Sequence, residues 1–63
     1  MSIIDDAKRA YSLRGFAGPC EVYEHASEHE RAQANLYRQK FPTSSGLDNA
    51  RRFASAVMQD EPL

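Results

Sequence analysis

The residues best suited to chemistry by type and spacing are His25, Glu28 and His29, in the stretch HASEH. On a single helix, His25 and His29 would lie four positions apart and share a face, which suits two zinc ligands. Glu28 could then act as a general base beside the metal. A catalytic zinc also needs a third protein ligand and an open fourth position.

The sequence offers no suitable third ligand for such a site. Glu30 would point away from the two histidines on the same helix, and Asp48 is expected to cap another helix. The remaining downstream acids lie at the end of the chain, and so short a chain can hardly wall a substrate cleft. We therefore expect no catalysis and no cofactor. A zinc site at His25 and His29, or a pH-sensitive interface made by them, is kept as an alternative.

Cys20, the only cysteine, is the other candidate for chemistry. The dipole at the beginning of a helix lowers the pKa of a thiol there. A reactive thiol also needs a base and an orienting partner, and His25 is expected off the same helical face. We therefore expect a structural cysteine. A single cysteine also excludes an intrachain disulfide and suits a reducing cytoplasm.

Length and charge limit the class of protein. The 63 residues allow one domain, spanning 1–63. Only about 60% of the surface of so short a chain can be buried, so its core is marginal and usually needs a metal, a disulfide or a partner chain. The formal net charge of −1 disfavours a dedicated nucleic-acid binder. With no signal peptide and no apolar run near the roughly 20 residues of a membrane span, we expect a cytoplasmic protein.

Two helices are predicted from capping signals and apolar periodicity. The first should run from about Ile3 to Leu13, where apolar residues recur at helical spacing and Gly15 follows as a stop. The last should run from about Gly46 to Gln59, with apolar residues at i, i+3, i+4 and i+7. An S-x-x-D capping box opens each of these helices, formed by Ser2 with Asp5 in the first and by Ser45 with Asp48 in the last.

The middle of the chain predicts one unusually long helix. Pro19 suits a first helical position and Pro42 forces an end, so the helix should run from about Pro19 to Lys40. It would be about 33 Å long, whereas a compact domain of this size is about 27 Å across. Its central residues 27–31 include no apolar side chain. Either the helix bends there, or it packs against a second copy, and we favour the homodimer.

The predicted fold is therefore all-α. It is a small three-helix domain, in which the long central helix forms an antiparallel hairpin with helix three and the short N-terminal helix packs on them. The expected function is to bind another protein, as a regulator or inhibitor of the bacterial or phage accessory type. Tyrosine and arginine are over-represented in binding hot spots. The candidate anchors, each of which could instead complete the core or the dimer interface, are Tyr23, Tyr37, Arg38 and Phe41.

A helix-turn-helix DNA-binding protein is the alternative function. The middle and last helices, joined by FPTSSG, could form such a unit. The connection is longer than usual, and Asp48 would face the phosphates, so this function ranks second. Its candidate contacts to phosphates and base edges are Ser44, Ser45, Asn49, Arg51 and Arg52.

Overall fold

A computed structural model describes residues 2–42 and 46–60, and its secondary structure in these ranges is entirely helical. The prediction of an all-α fold is confirmed, but these ranges hold four helices where three were expected. None of the four is long and apolar enough to cross a membrane. In chain order they are α1 (Ile3–Arg14), α2 (Ala17–Glu24), α3 (Glu28–Arg38) and α4 (Asn49–Asp60).

The first helix follows its prediction to within one residue. The Ser2 hydroxyl accepts a hydrogen bond from the Asp5 N–H at 3.3 Å, as the capping signal indicates. At the other end Gly15 has a φ of 73°, and its N–H donates to the Tyr11 carbonyl at 2.8 Å. Glycine takes this left-handed backbone without the steric cost that a Cβ would add. The cap and the stop therefore set both ends of α1.

The predicted single helix from Pro19 to Lys40 is wrong, because the chain breaks between Glu24 and Glu28. Ser27 has an extended backbone, and its hydroxyl accepts the N–H of Glu30 at 3.2 Å. The Glu30 carboxylate in turn accepts the Ser27 N–H at 3.0 Å. This reciprocal capping box satisfies two amide donors and begins a new helix. The polar stretch in the middle of the predicted helix is therefore a helix start.

Arg31 of α3 connects this helix to α2 by hydrogen bonds across the break. Its Nη2 donates to the Glu24 carbonyl at 2.6 Å, and its Nε donates to the Tyr23 carbonyl at 3.1 Å. These carbonyls lie at the end of α2, where helical carbonyls lack partners within the helix. The molecule measures only 24 × 24 × 17 Å. The homodimer therefore loses the support that it drew from an overhanging helix.

The last helix begins three residues later than predicted. Gly46 lies before α4 with a φ of 95°, and the Asp48 carboxylate accepts the N–H of Arg51 at 2.9 Å. Asp48 therefore caps the helix itself. The other member of the predicted box, Ser45, lies outside the described residues.

The last helix also forms the centre of the fold, and α1, α2 and α3 all pack on it. Five consecutive residues, 53–57, are buried, so the middle of α4 is covered on every side. The ring centroid of Phe53 lies 5.8 Å from that of Tyr23 and 6.0 Å from that of Tyr37. The buried apolar cluster consists of Ile3, Ala7, Tyr23, Ala34, Phe53 and Val57.

The first two helices pack unusually close together at Gly18. A Cβ built on this glycine would lie 2.3 Å from the carbonyl oxygen of Ala10 and 2.5 Å from its carbonyl carbon. Both Gly18 and the adjacent Pro19 are buried. Only a residue without a side chain allows this approach, and it fixes the position of α2 against α1.

Candidate functional site

The predicted anchor Tyr23 belongs to the core. Its side chain is only 7% exposed, and its ring packs against Phe53. Its hydroxyl donates a hydrogen bond to Asn35 Oδ1 at 3.0 Å, which satisfies the one polar group of the side chain. The structure therefore gives Tyr23 an internal role and leaves its ring little surface for a partner.

Tyr37 and Phe41 are half-buried at the edge of the core. Their ring centroids are 5.3 Å apart. The Tyr37 hydroxyl donates to Asp60 Oδ2 at 2.7 Å, and Lys8 Nζ lies 3.0 Å from the same oxygen. The hydrogen bond from Tyr37, followed by the contact with Lys8, holds the pKa of Asp60 below its usual value. These contacts join α1, α3 and α4 at one end of the molecule.

Arg38 connects α3 to the beginning of α4. Its Nε donates to Asn35 Oδ1 at 3.1 Å, and its Nη2 donates to Asn49 Oδ1 at 3.2 Å. Arg38 was predicted as a partner anchor and Asn49 as a base-reading residue. In the structure these two side chains are hydrogen-bonded to each other.

Of the remaining nucleic-acid candidates, the structure describes Arg51 and Arg52, which lie in the first turn of α4. Ser44 and Ser45 lie outside the described residues. Arg51 is exposed, whereas Arg52 is half-buried, and its Nε is buried without a hydrogen-bond partner in residues 2–42 and 46–60. Beyond this first turn, residues 53–57 of α4 are buried. A recognition helix needs an exposed face to enter the major groove, so this geometry counts against the helix-turn-helix alternative.

The two histidines do not share a helical face. His25 is the residue that follows α2, whereas His29 is the second residue of α3. Both are exposed, and His29 Nε2 lies 3.5 Å from Gln33 Nε2. Within the described ranges, no three His, Cys, Asp or Glu side chains are grouped so that they could hold a metal ion. The expected placement of His25 and His29 on one helix is therefore wrong.

A surface that the sequence pattern does not indicate lies between α2 and the beginning of α4. It is an open concavity of about 560 Å³, and we call it the α2–α4 cleft. Small or apolar residues line one part of it, and charged residues line the rest. In that order they are Phe16, Ala17, Cys20 and Ala50, then Glu21, Glu24, Asp48 and Arg51.

One exposed aromatic side chain lines this cleft, and another exposed apolar residue lies near it in the chain. Phe16, which lines it, is 40% exposed, and Leu13, three residues earlier, is 76% exposed. Single exposed apolar residues are normal on a protein surface. Phe16 differs from an isolated exposed residue because it also lines a concave surface. The exposed Leu36 of α3 and Met58 of α4 do not line the cleft.

The charged groups of the cleft are paired to different extents. Glu21 forms an ion pair with Arg14, and Arg51 Nε lies 3.9 Å from the Asp48 carboxylate. Glu24 makes no ion pair with any described residue. It also lies in the last turn of α2, where the partial negative charge of the helix end disfavours a carboxylate. Arg31 donates to the Glu24 backbone carbonyl, and the Glu24 carboxylate itself has no ion pair among residues 2–42 and 46–60.

Cys20 lies in the cleft beside more acidic than basic side chains. Partial burial of the thiol raises its pKa, and the carboxylates of Asp48 and Glu24 raise it further. Arg51 opposes them with a smaller effect. A raised pKa keeps the thiol protonated at neutral pH, and a protonated thiol is a poor nucleophile. Cys20 therefore contributes a small, neutral lining to the cleft.

No protein-family model, curated protein or solved structure matches this chain. What the molecule does is therefore inferred from the geometry of its surface. The α2–α4 cleft is the feature on which that inference is built.

Proposed function

We propose that this chain is a small non-catalytic protein-interaction module, a regulator or inhibitor that acts by binding another protein. The α2–α4 cleft is the binding surface. The observation that carries this proposal is Phe16, a large aromatic side chain left 40% exposed at the edge of a concavity. Aromatic side chains beside a pocket are typical binding anchors. Tyr23, Tyr37, Arg38 and Phe41 then act as supports of the fold behind that surface.

The charges around the cleft favour a protein over a nucleic acid. Among the described residues that line it, Arg51 is the one cation, and it shares the surface with Glu21, Glu24 and Asp48. Phosphate contacts supply most of the affinity of nucleic-acid binding, and carboxylates oppose them. Residues 53–57 in the middle of α4 are also buried, so this part of the helix has no exposed face that could enter a DNA groove.

The proposal needs no second copy of the chain. A small domain gains stability from a partner that binds only its folded state, and a different protein serves as well as a second copy. We place the module in a reducing cytoplasm, because its single cysteine is free.

Affinity capture with paired variants tests this function. Wild type, Phe16→Ser and Leu36→Ser are immobilised and exposed to a bacterial lysate, with and without nuclease, and captured proteins are identified by mass spectrometry. Leu36 is the matched control, because it is 66% exposed but does not line the cleft. Phe16 is outside the buried core, so Phe16→Ser should fold, and circular dichroism checks this.

We expect one protein that is captured despite nuclease, lost with Phe16→Ser and retained with Leu36→Ser. Capture that disappears after nuclease treatment would favour the nucleic-acid alternative. A partner lost equally with both variants would place the binding surface elsewhere.

A further inference from the structure

We infer that the α2–α4 cleft recognises a basic as well as apolar protein segment, in which lysine or arginine flanks an aliphatic or aromatic side chain. This inference rests on the proposed function, since it assumes that the cleft binds protein. It adds the chemical class of the partner. The occupant is a segment of a different protein, and the shape and the charge of the cleft are two independent arguments for its apolar and basic chemistry.

The apolar part of the cleft suits an inserted side chain. Ala17, Cys20 and Ala50 are small, so the space between α2 and α4 is left open beside the Phe16 ring. Its volume of about 560 Å³ lies within the roughly 300–1,000 Å³ that is usual for ligand pockets. One large apolar side chain and part of its neighbours would therefore fit against Phe16.

In the charged part of the cleft, the Glu24 carboxylate is left without an ion pair to a described residue, although the Arg31 guanidinium donates to the Glu24 backbone carbonyl. Glu21 is already paired with Arg14, and Asp48 caps α4 and lies near Arg51. Glu24 makes no ion pair with a described residue, although it lies where the helix dipole disfavours a carboxylate. An incoming lysine or arginine would supply the missing charge.

A second concavity adjoins the α2–α4 cleft on its charged side. It shares Glu24, Asp48 and Ala50 with the cleft and continues towards Arg31 and Asn49. Arg31 is engaged there, because it donates hydrogen bonds to two carbonyls at the end of α2. Glu24 and Asp48 therefore line both concavities. A basic residue next to the inserted apolar side chain would contact these two carboxylates.

Selection from a library of short random peptides tests the chemistry of the partner without knowledge of its identity. A phage-displayed library is selected on the immobilised full chain, and binders that also bind Phe16→Ser are discarded. The most enriched peptide is synthesised and titrated into ¹⁵N-labelled protein. We expect enriched peptides to carry lysine or arginine next to an aliphatic or aromatic residue. Amide shifts should concentrate in α2 and at the beginning of α4.

Two matched variants separate the charge at the cleft from charge in general. Glu24→Gln should weaken binding of the selected peptide about threefold, which is typical of one exposed charge pair. Glu28→Gln removes the same charge from the exposed start of α3, outside the cleft, and should leave the affinity unchanged. Raising the salt from about 50 mM to about 500 mM should weaken wild-type binding more than Glu24→Gln binding, because salt screens exposed charges.

The outcomes distinguish failure of this inference from failure of the proposed function. Peptides that require Phe16 but show no basic enrichment, and that bind Glu24→Gln as tightly as wild type, would overturn the inference and leave the cleft as a protein-binding surface. If no selected peptide depends on Phe16, both the inference and the proposed function are wrong.

Discussion

Substitution of Gly18 by alanine is expected to push α2 away from α1. The new Cβ would lie 2.3 Å from the Ala10 carbonyl oxygen and 2.5 Å from its carbon, where ordinary contact begins at 3.4 Å. Both are backbone atoms of α1, so no side-chain rotation can relieve the clash. The two helices must instead separate by about 1 Å, in a close-packed interior that resists such shifts.

The size of the effect is a balance of two opposing contributions. Alanine favours the helical state over glycine by about 1 kcal/mol, which would stabilise the variant. Overpacking a core costs about 1–3 kcal/mol and sometimes more, and a contact with rigid backbone belongs at the upper end. We expect a net loss of about 1–2 kcal/mol. This is a large part of the roughly 3–5 kcal/mol that a single core of this size supplies.

Thermal and urea unfolding, followed by far-UV circular dichroism, measure this loss. In a domain of this size, each kcal/mol lowers Tm by about 4–8 °C, so we expect a decrease of at least about 5 °C. The control is Gly18→Ala combined with Ala10→Gly, which removes the Ala10 Cβ but leaves both backbone contacts. It should be no more stable than Gly18→Ala. A Gly18→Ala variant as stable as wild type, or stability restored by Ala10→Gly, would refute the proposed backbone contact.

Three further substitutions test the capping box of α3, the half-buried carboxylate of Asp60 and the hydrogen bonds of Arg31 at the helix break. Ser27→Ala should lower the free energy of unfolding in urea by about 1 kcal/mol, because α3 loses its cap; an equal loss from Ser12→Ala, on the exposed side of α1, would contradict this. The hydrogen bond from Tyr37 lowers the pKa of Asp60 in the folded state. The ionised carboxylate therefore stabilises the fold fully above the pKa of unfolded aspartate, which is about 3.9. This contribution is lost as the pH falls through the lower pKa of the folded state. The difference in unfolding free energy between wild type and Asp60→Asn should therefore shrink on acidification below pH 4, and a difference that stays constant with pH would show that the charge is irrelevant. Arg31→Lys should destabilise the fold by about 1 kcal/mol, because lysine cannot donate to both carbonyls at the end of α2 in the same planar geometry; unchanged urea unfolding would show that this cap is dispensable.

The ends of the helices were predictable wherever a local signal sets them. Ser2 and Gly15 determine α1 through hydrogen bonds to residues three or four positions away, so the sequence contains all the information. Ser27 and Glu30 carry the same kind of signal. It is easily overlooked, because acidic residues also favour the first turns of a longer helix and no glycine or proline marks the break.

The α2–α4 cleft was not predictable in the same way. Cys20 and Ala50 are thirty positions apart, and only the packing of α2 on α4 brings them to one surface. The anomaly of Glu24 also depends on the helix break. In a helix that continues to residue 40, Glu24 would lie near the favourable N-terminal end, whereas in α2 it lies in the last turn. The wrong boundary of the predicted helix therefore also placed Glu24 at the wrong end of a helix dipole.

The central position of α4 has a consequence for how the protein is made. The ribosome synthesises α1, α2 and α3 first, and during that time Ile3 and Tyr23 have no Phe53 or Val57 to pack against. The apolar faces of the first three helices thus stay exposed until α4 is complete, and such surfaces attract proteases and aggregate. A truncation that removes α4 would therefore leave three helices without a common core. The apolar cluster that the four helices share is complete only when α4 packs against the other three.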